Sequence, residues 1–113
     1  MTEKQFENQV KQFLKQHNCW CLKTWSNGVQ REGVPDLLVC CNGYFLGIEL
    51  KAEHGHASDL QRWNIRQINY AGGFAFVLYP DQFEEFKKFV LSLLDGMEYE
   101  IARRYIKTFH ERG

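Results

Sequence analysis

Asp36, Glu49 and Lys51 are the residues of this chain whose types and spacing could do chemistry. They sit in two β-rich runs, Val34 to Cys41 and Tyr44 to Lys51, separated only by Asn42-Gly43, the strongest short-range signal for a tight hairpin. With a two-residue turn Cys41 faces Tyr44, and the pairing runs back until Asp36 faces Glu49. Opposed side chains of an antiparallel pair have Cβ atoms roughly 5 Å apart, where like charges repel. Lys51 lies two residues past Glu49, projects from the same face, and offsets that repulsion. Carboxylate oxygens this close suit a hard divalent cation, Mg2+ or Mn2+, which keeps several waters and takes up phosphate oxygens. A solvated sheet face with a surface ion pair would use the same residue types. Two features weigh against it: Pro35 tends to mark the start or edge of a strand, and Glu49 interrupts the apolar stretch Phe45 to Leu50, where charges are paired or bind metal.

The elements that must position these groups follow from periodicity. Thr2 with Gln5 forms a capping box, and Phe6, Val10, Phe13 and Leu14 recur at helical spacing, which predicts a helix over about 3–17. Trp20 to Trp25 reads as a strand closed by the turn signal Ser26-Asn27-Gly28, and the hairpin follows. After the polar loop Ala52 to Ala57, a second capping box, Ser58 with Gln61, opens a helix that ends at Gly72-Gly73. Phe74 to Tyr79 is a short apolar strand. Asp81 with Glu84 is expected to cap a third helix, and Asp95-Gly96 divides it from a fourth bearing Tyr99, Ala102, Tyr105, Ile106 and Phe109. The order α, three strands, α, strand, α, α predicts an α/β domain spanning 1–113, with the motif-bearing core over about 3–80 and the last two helices over about 82–112.

Other candidates carry more than one reading. Glu7 borders the apolar stripe of the first helix and points either into the site or to the solvent edge. Gln61 is the third residue of a capping box as well as a candidate site residue. Lys23, Arg31, Arg62 and Arg66 are candidate phosphate contacts or solvated charges. His54 and His56 read as part of a polar loop. At 113 residues and zero formal net charge, composition fits one ordinary globular domain and says nothing for or against nucleic acid. The longest apolar stretch, Leu37 to Cys41, is too short to span a bilayer. The polar start Met1 to Gln5 lacks the apolar stretch of a secretory signal, so an intracellular, reducing setting is expected. Cys19, Cys21, Cys40 and Cys41, in C-x-C and C-C spacing, fit it as small buried hydrophobes.

The string Gly33-Val34-Pro35-Asp36, the hairpin, Glu49-Leu50-Lys51 and then Gln61 resembles the PD-(D/E)xK nuclease superfamily, and within it most closely the VRR-NUC (virus-type replication-repair nuclease) domains. The resemblance runs from about Phe6 to Pro80. It implies a restriction-endonuclease-like core, a mixed central sheet flanked by helices in the order αβββαβ. It implies metal-binding carboxylates at Asp36 and Glu49, a metal-binding main-chain carbonyl at Leu50, a catalytic lysine at Lys51, a helix-borne acid at Glu7 that is a further metal ligand in some readings, and a helix glutamine at Gln61. The activity implied is a Mg2+- or Mn2+-dependent endonuclease acting on branched DNA such as Holliday junctions or flaps, leaving 5′-phosphate and 3′-hydroxyl ends. The alternatives are a catalytically silent DNA-binding module on the same fold, or a sequence-specific restriction-type enzyme. A homodimer is expected, because the aromatic residues of the C-terminal half (Phe83, Phe86, Phe89, Tyr99, Tyr105, Phe109) exceed what two short helices need for one face.

Overall fold

The computed structural model describes residues 1–25 and 32–109. Helix α1, Glu3–Gln16, begins at a complete capping box, in which the Gln5 N–H donates to Thr2 Oγ1 at 3.1 Å and the Thr2 N–H to Gln5 Oε1 at 2.8 Å. Strands β1 (Trp20–Lys23), β2 (Leu37–Cys41) and β3 (Tyr44–Leu50) follow, then α2 (Asp59–Tyr70), β4 (Phe74–Leu78), α3 (Phe83–Leu94) and α4 (Tyr99–Tyr105). Short 3-10 turns precede α3 at Pro80–Gln82 and follow α4 at Ile106–Thr108. The described residues form an α/β architecture with four helices and a four-stranded mixed sheet in the order β1-β2-β3-β4. The first two strand pairs are antiparallel. The last is parallel, as the α2 crossover between β3 and β4 requires.

The turn between β2 and β3 sets their register. Asn42 and Gly43 both have positive φ (50° and 85°), the requirement of a hairpin turn whose twist matches the strands. Pairing runs from Cys41↔Tyr44 to Leu37↔Ile48. There it stops. The expected β2 strand from Val34 is shorter, because Pro35 has no N–H to offer, and Asp36 lies one residue before the ladder rather than in it.

Alternation along the strands divides the sheet into two faces. Leu37, Val39, Cys41, Leu46, Ile48, Leu50, Phe74, Phe76 and Leu78 point to one side and form the main core with α1, α3 and α4. Phe6, Val10 and Leu14, fully buried, are the contribution of α1 to it. On the other face α2 covers β3 and β4, with Ile65 packed against Ala57, Val77 and Tyr79. The same face of β1 and β2 is left open, where Trp20 and Leu22 reach solvent, as does Phe45 near the start of β3.

One expectation for the C-terminal half changes. Asp81 does not cap α3: the chain enters it through a 3-10 turn, and the Gln82 side chain instead accepts the Tyr79 N–H at 3.1 Å. Of the aromatic residues behind the dimer expectation, Tyr99 is exposed and Phe83 and Tyr105 are partly buried against the core. Phe86, Phe89 and Phe109 are buried, and ring pairs such as the stacked Phe76–Phe109 (centroids 4.5 Å apart) and the tilted Phe89–Tyr105 (5.1 Å) fill the space over the sheet. Those buried rings cover a face of the sheet. No helix among the described residues is long and apolar enough to cross a membrane. The four cysteines are all free thiols, and burial raises those of Cys19, Cys21 and Cys41.

Gly33 shows how tightly the segment before Asp36 is seated. Its φ is +78°, and a Cβ there would lie 2.5 Å from Leu60 Cγ and 2.9 Å from Asn64 Nδ2 on α2. Gly33→Ala is therefore expected to cost roughly 1–3 kcal/mol, combining αL strain with overpacking. A thermal melt reads this directly, and an unchanged melting temperature would contradict the packing described.

Candidate active site

The carboxylates meet where β2 and β3 begin to part. Thr24, just past β1, holds the Asp36 backbone: its N–H donates to the Asp36 carbonyl at 2.9 Å, and its hydroxyl donates to the carbonyls of Pro35 at 2.9 Å and Asp36 at 3.2 Å. Asp36 Oδ2 accepts the Leu50 N–H at 2.8 Å, so a carboxylate stands where the ladder has lost its strand partner. That bond also orients Leu50. An extended residue sends its N–H and C=O to the same side, whereas the next N–H, that of Lys51, bonds to the Leu78 carbonyl on the opposite side at 3.1 Å. The Leu50 carbonyl therefore points to the Asp36 side.

Glu49, one residue earlier on β3, is 1% exposed. Its Oε2 lies 3.1 Å from the Lys51 ammonium, and its Oε1 is buried with no hydrogen-bond partner among the described residues. Burial foremost, then the neighbouring Asp36 carboxylate, raises the Glu49 carboxyl far above the ordinary range, while Lys51 pulls it down. A buried carboxylate that feels a second one nearby and keeps an acceptor oxygen unmet by any described residue makes an arrangement that a cation would relieve.

Glu7 reaches the same region from α1, but its oxygens are taken. Lys4 and Lys11 each lie 3.1 Å from Oε2, and Lys23 lies 3.0 Å from Oε1. Burial raises its carboxyl, yet the three lysines outweigh that and hold it at about 2. The Lys23 ammonium also stands 3.4 Å from Asp36 Oδ1, bridging the two acids, and between them they raise its own pKa despite partial burial. Lys23, a candidate phosphate contact or solvated charge, is here paired with two acidic side chains. Neither motif nor strand spacing singles out Lys4 or Lys11. Their i−3 and i+4 positions relative to Glu7 are the signal that could have found them.

Of the remaining described candidates, Gln61 and Arg62 have partners of their own. The Gln61 side chain accepts the Ser58 N–H at 2.8 Å, completing the α2 cap. Arg62 and Arg66 line the far side of α2 against β4, with Arg62 paired to Asp59 at 3.0 Å. Arg31 falls outside the described residues. His54 is exposed, 4.0 Å from Glu53. Tyr79, buried beneath this loop, donates its hydroxyl to the Gly55 carbonyl at 2.9 Å and so steadies the segment after Lys51.

No protein-family model matches this chain, and no curated protein matches it. The chemistry of the site therefore rests on its own atoms. Among the described residues no three of His, Cys, Asp and Glu form a group that could hold a metal. What remains for a hard cation is a set of two carboxylates and one main-chain carbonyl, from Asp36, Glu49 and Leu50. That set fits Mg2+ or Mn2+, which take oxygen ligands and complete their shells with water, better than a softer metal needing imidazole or thiolate. The unpartnered Glu49 Oε1 is the atom that such an ion would satisfy.

Proposed function

We propose that the chain is a metal-dependent deoxyribonuclease of the PD-(D/E)xK kind, similar to VRR-NUC domains, that hydrolyses phosphodiester bonds in branched DNA. The observation that carries this reading is the Asp36, Glu49 and Lys51 cluster, with its buried and unpartnered Glu49 oxygen beside the Lys51 ammonium. A site meant only to stabilise the fold gains nothing from an orphaned carboxylate oxygen, since replacing such charges by apolar groups is often neutral or better.

Each residue has a defined task in this reading. Asp36, Glu49 and the Leu50 carbonyl would hold the cation, and Thr24 with the Leu50 N–H keeps Asp36 aimed. The bound Mg2+ or Mn2+ would supply Lewis acidity at a phosphate oxygen and an acidified water. Lys51, held 3.1 Å from Glu49, would orient the attacking water or neutralise charge that develops on the phosphate. Glu7 and Lys23 act on the site through Asp36, because the Lys23 ammonium that pairs with Glu7 also faces Asp36 Oδ1.

Incubation of the protein with a four-way junction, a flap and plain duplex, each with Mg2+, Mn2+ or EDTA, tests the activity. Cutting of the branched substrates with either metal and not with EDTA is expected. Binding without cutting under all these conditions would replace this reading with that of a silent DNA-binding module. Asp36→Asn keeps the side-chain shape but removes a charged ligand, so calorimetry should find metal affinity weakened about tenfold or more. Unchanged affinity would remove Asp36 from the ligand set.

A further inference from the structure

β4 is an edge strand, and its outer side is where an open strand would recruit another chain. The polar groups of Phe74, Phe76 and Leu78 turn towards β3, as the bond from the Lys51 N–H to the Leu78 carbonyl requires, so those of Ala75, Val77 and Tyr79 turn outward. Side-chain amides occupy the two ends of this edge. Asn69 imitates a neighbouring strand at Ala75, accepting its N–H at 2.9 Å and donating Nδ2 to its carbonyl at 2.8 Å. Gln82 takes the Tyr79 N–H. The edge is thereby closed to an extended peptide, which would need consecutive outward pairs, while Val77 between the two amides turns its N–H and C=O outward.

At that point lies a cavity of about 660 Å3, walled by α2 on one side and by α4 with its following 3-10 turn on the other. Its volume is that of a small-molecule site. Ile65, Phe76 and Val77 contribute an apolar floor. Arg62 and Arg66, one turn apart on α2, face Arg103 and Lys107, one turn apart on the opposite wall, with Glu100 the single carboxylate among the lining residues described. Asp59 offsets Arg62, whereas Arg66 and Lys107 have no ion pair among the described residues. Arg103 spends its terminal nitrogens on Asn69 and on the Gly73 carbonyl, neutral acceptors that leave its charge standing. Its buried Nε–H has no acceptor among the described residues. In a chain of zero formal net charge, such a gathering of cations around an apolar floor selects an amphipathic anion.

We propose that this cavity binds one nucleotide unit, its phosphate between Arg66 and Lys107 and its base on the apolar floor with an edge towards Val77. A phosphate answers the facing cations, and a flat heteroaromatic ring answers an apolar surface that also offers one backbone donor and one acceptor. A fatty or purely aliphatic anion would leave Val77 unmatched, and an inorganic anion would leave the floor unused. Val77 is the register partner of Glu49, which places the floor one strand spacing, about 4.8 Å, from the backbone that carries the carboxylate cluster. Binding at this cavity does not depend on cleavage.

The experiment is a calorimetric titration of the full chain in EDTA with deoxynucleoside monophosphates, inorganic phosphate and a short single strand with or without a 5′-phosphate. Saturable binding of a monophosphate is expected, at least about tenfold tighter than inorganic phosphate. The exposed double variant Arg66→Ala/Lys107→Ala should weaken it about tenfold or more, with an unchanged melting temperature to confirm folding, while Lys51→Ala leaves it intact. If the 5′-phosphorylated strand binds more tightly than the free monophosphate, the unit belongs to a strand end; if not, it is a soluble nucleotide. Equal binding of inorganic phosphate and monophosphate, full affinity in the double variant, or no binding of either nucleotide form overturns the proposal. Loss of binding in Lys51→Ala would place the ligand at the carboxylate cluster and overturn it too. Because the readout uses no metal and no cutting, its failure leaves the nuclease reading standing, and failure of that reading leaves this one.

Discussion

Lys51→Ala should reduce cleavage of branched DNA by about 10²-fold or more while DNA binding persists, because removing one preorganised group that stabilises transition-state charge typically costs that much. The structural basis is the 3.1 Å contact that fixes the Lys51 ammonium against Glu49 in a mostly buried setting. The variant carries a second consequence. Lys51 is the cation that draws the Glu49 carboxyl downward, so without it that carboxyl moves still further up and holds its proton at higher pH. Added Mg2+ must then compete with a proton, and the metal concentration needed for any residual cutting should rise. Lys51→Arg keeps the charge but not the compact ammonium, and is expected to restore metal response better than rate. Single-turnover assays over a range of Mg2+ concentrations separate the two effects. Equal rates for wild type and Lys51→Ala at saturating metal would dismiss the catalytic role.

Glu49→Gln should make the metal-free protein more stable at alkaline pH while abolishing cleavage. Burial and the Asp36 carboxylate lift the Glu49 carboxyl from an ordinary 4.5 to about 8, against the pull of Lys51. A carboxyl with a higher pKa in the folded state than in the unfolded state binds its proton more tightly when folded, so stability declines as pH rises from about 4.5 to about 8. Glu7 behaves in the opposite sense. Its lysines hold it at about 2, so its contribution is present above about 4.5 and is lost as pH falls towards 2. Metal-free wild type should therefore melt at a lower temperature at pH 8.5 than at pH 5.5. A tenfold difference in proton affinity between the folded and unfolded chain corresponds to about 1.4 kcal/mol, enough to move the melting temperature by several degrees in a domain of this size. The glutamine variant has no such proton to lose and should show a flatter profile. Mg2+ binds the deprotonated carboxylates, so it should stabilise wild type most at the alkaline end and the variant little. Parallel pH profiles for the two proteins would contradict the burial cost assigned to Glu49.

Much of this site was decided within short stretches of sequence. Asn42-Gly43 admits the positive φ angles of a two-residue turn, and that turn alone fixes which residues of β2 and β3 oppose each other. Alternation then puts Glu49 and Lys51 on one face, and the capping boxes of Thr2 with Gln5 and Ser58 with Gln61 form as their spacing dictates. These features depend on sterics and hydrogen bonds between residues a few positions apart, so the sequence by itself determined them. Only the tertiary structure decided the rest. It stopped the ladder at Leu37 and turned the Asp36 side chain to the Leu50 N–H. It brought Lys23 between Glu7 and Asp36, folded the C-terminal aromatic rings over the sheet, and set α2 and α4 on either side of the β4 edge. Those outcomes join groups that are distant in the chain, where many side chains compete for the same space and charge. Packing and burial choose among them, and neither is written into the spacing of any one segment.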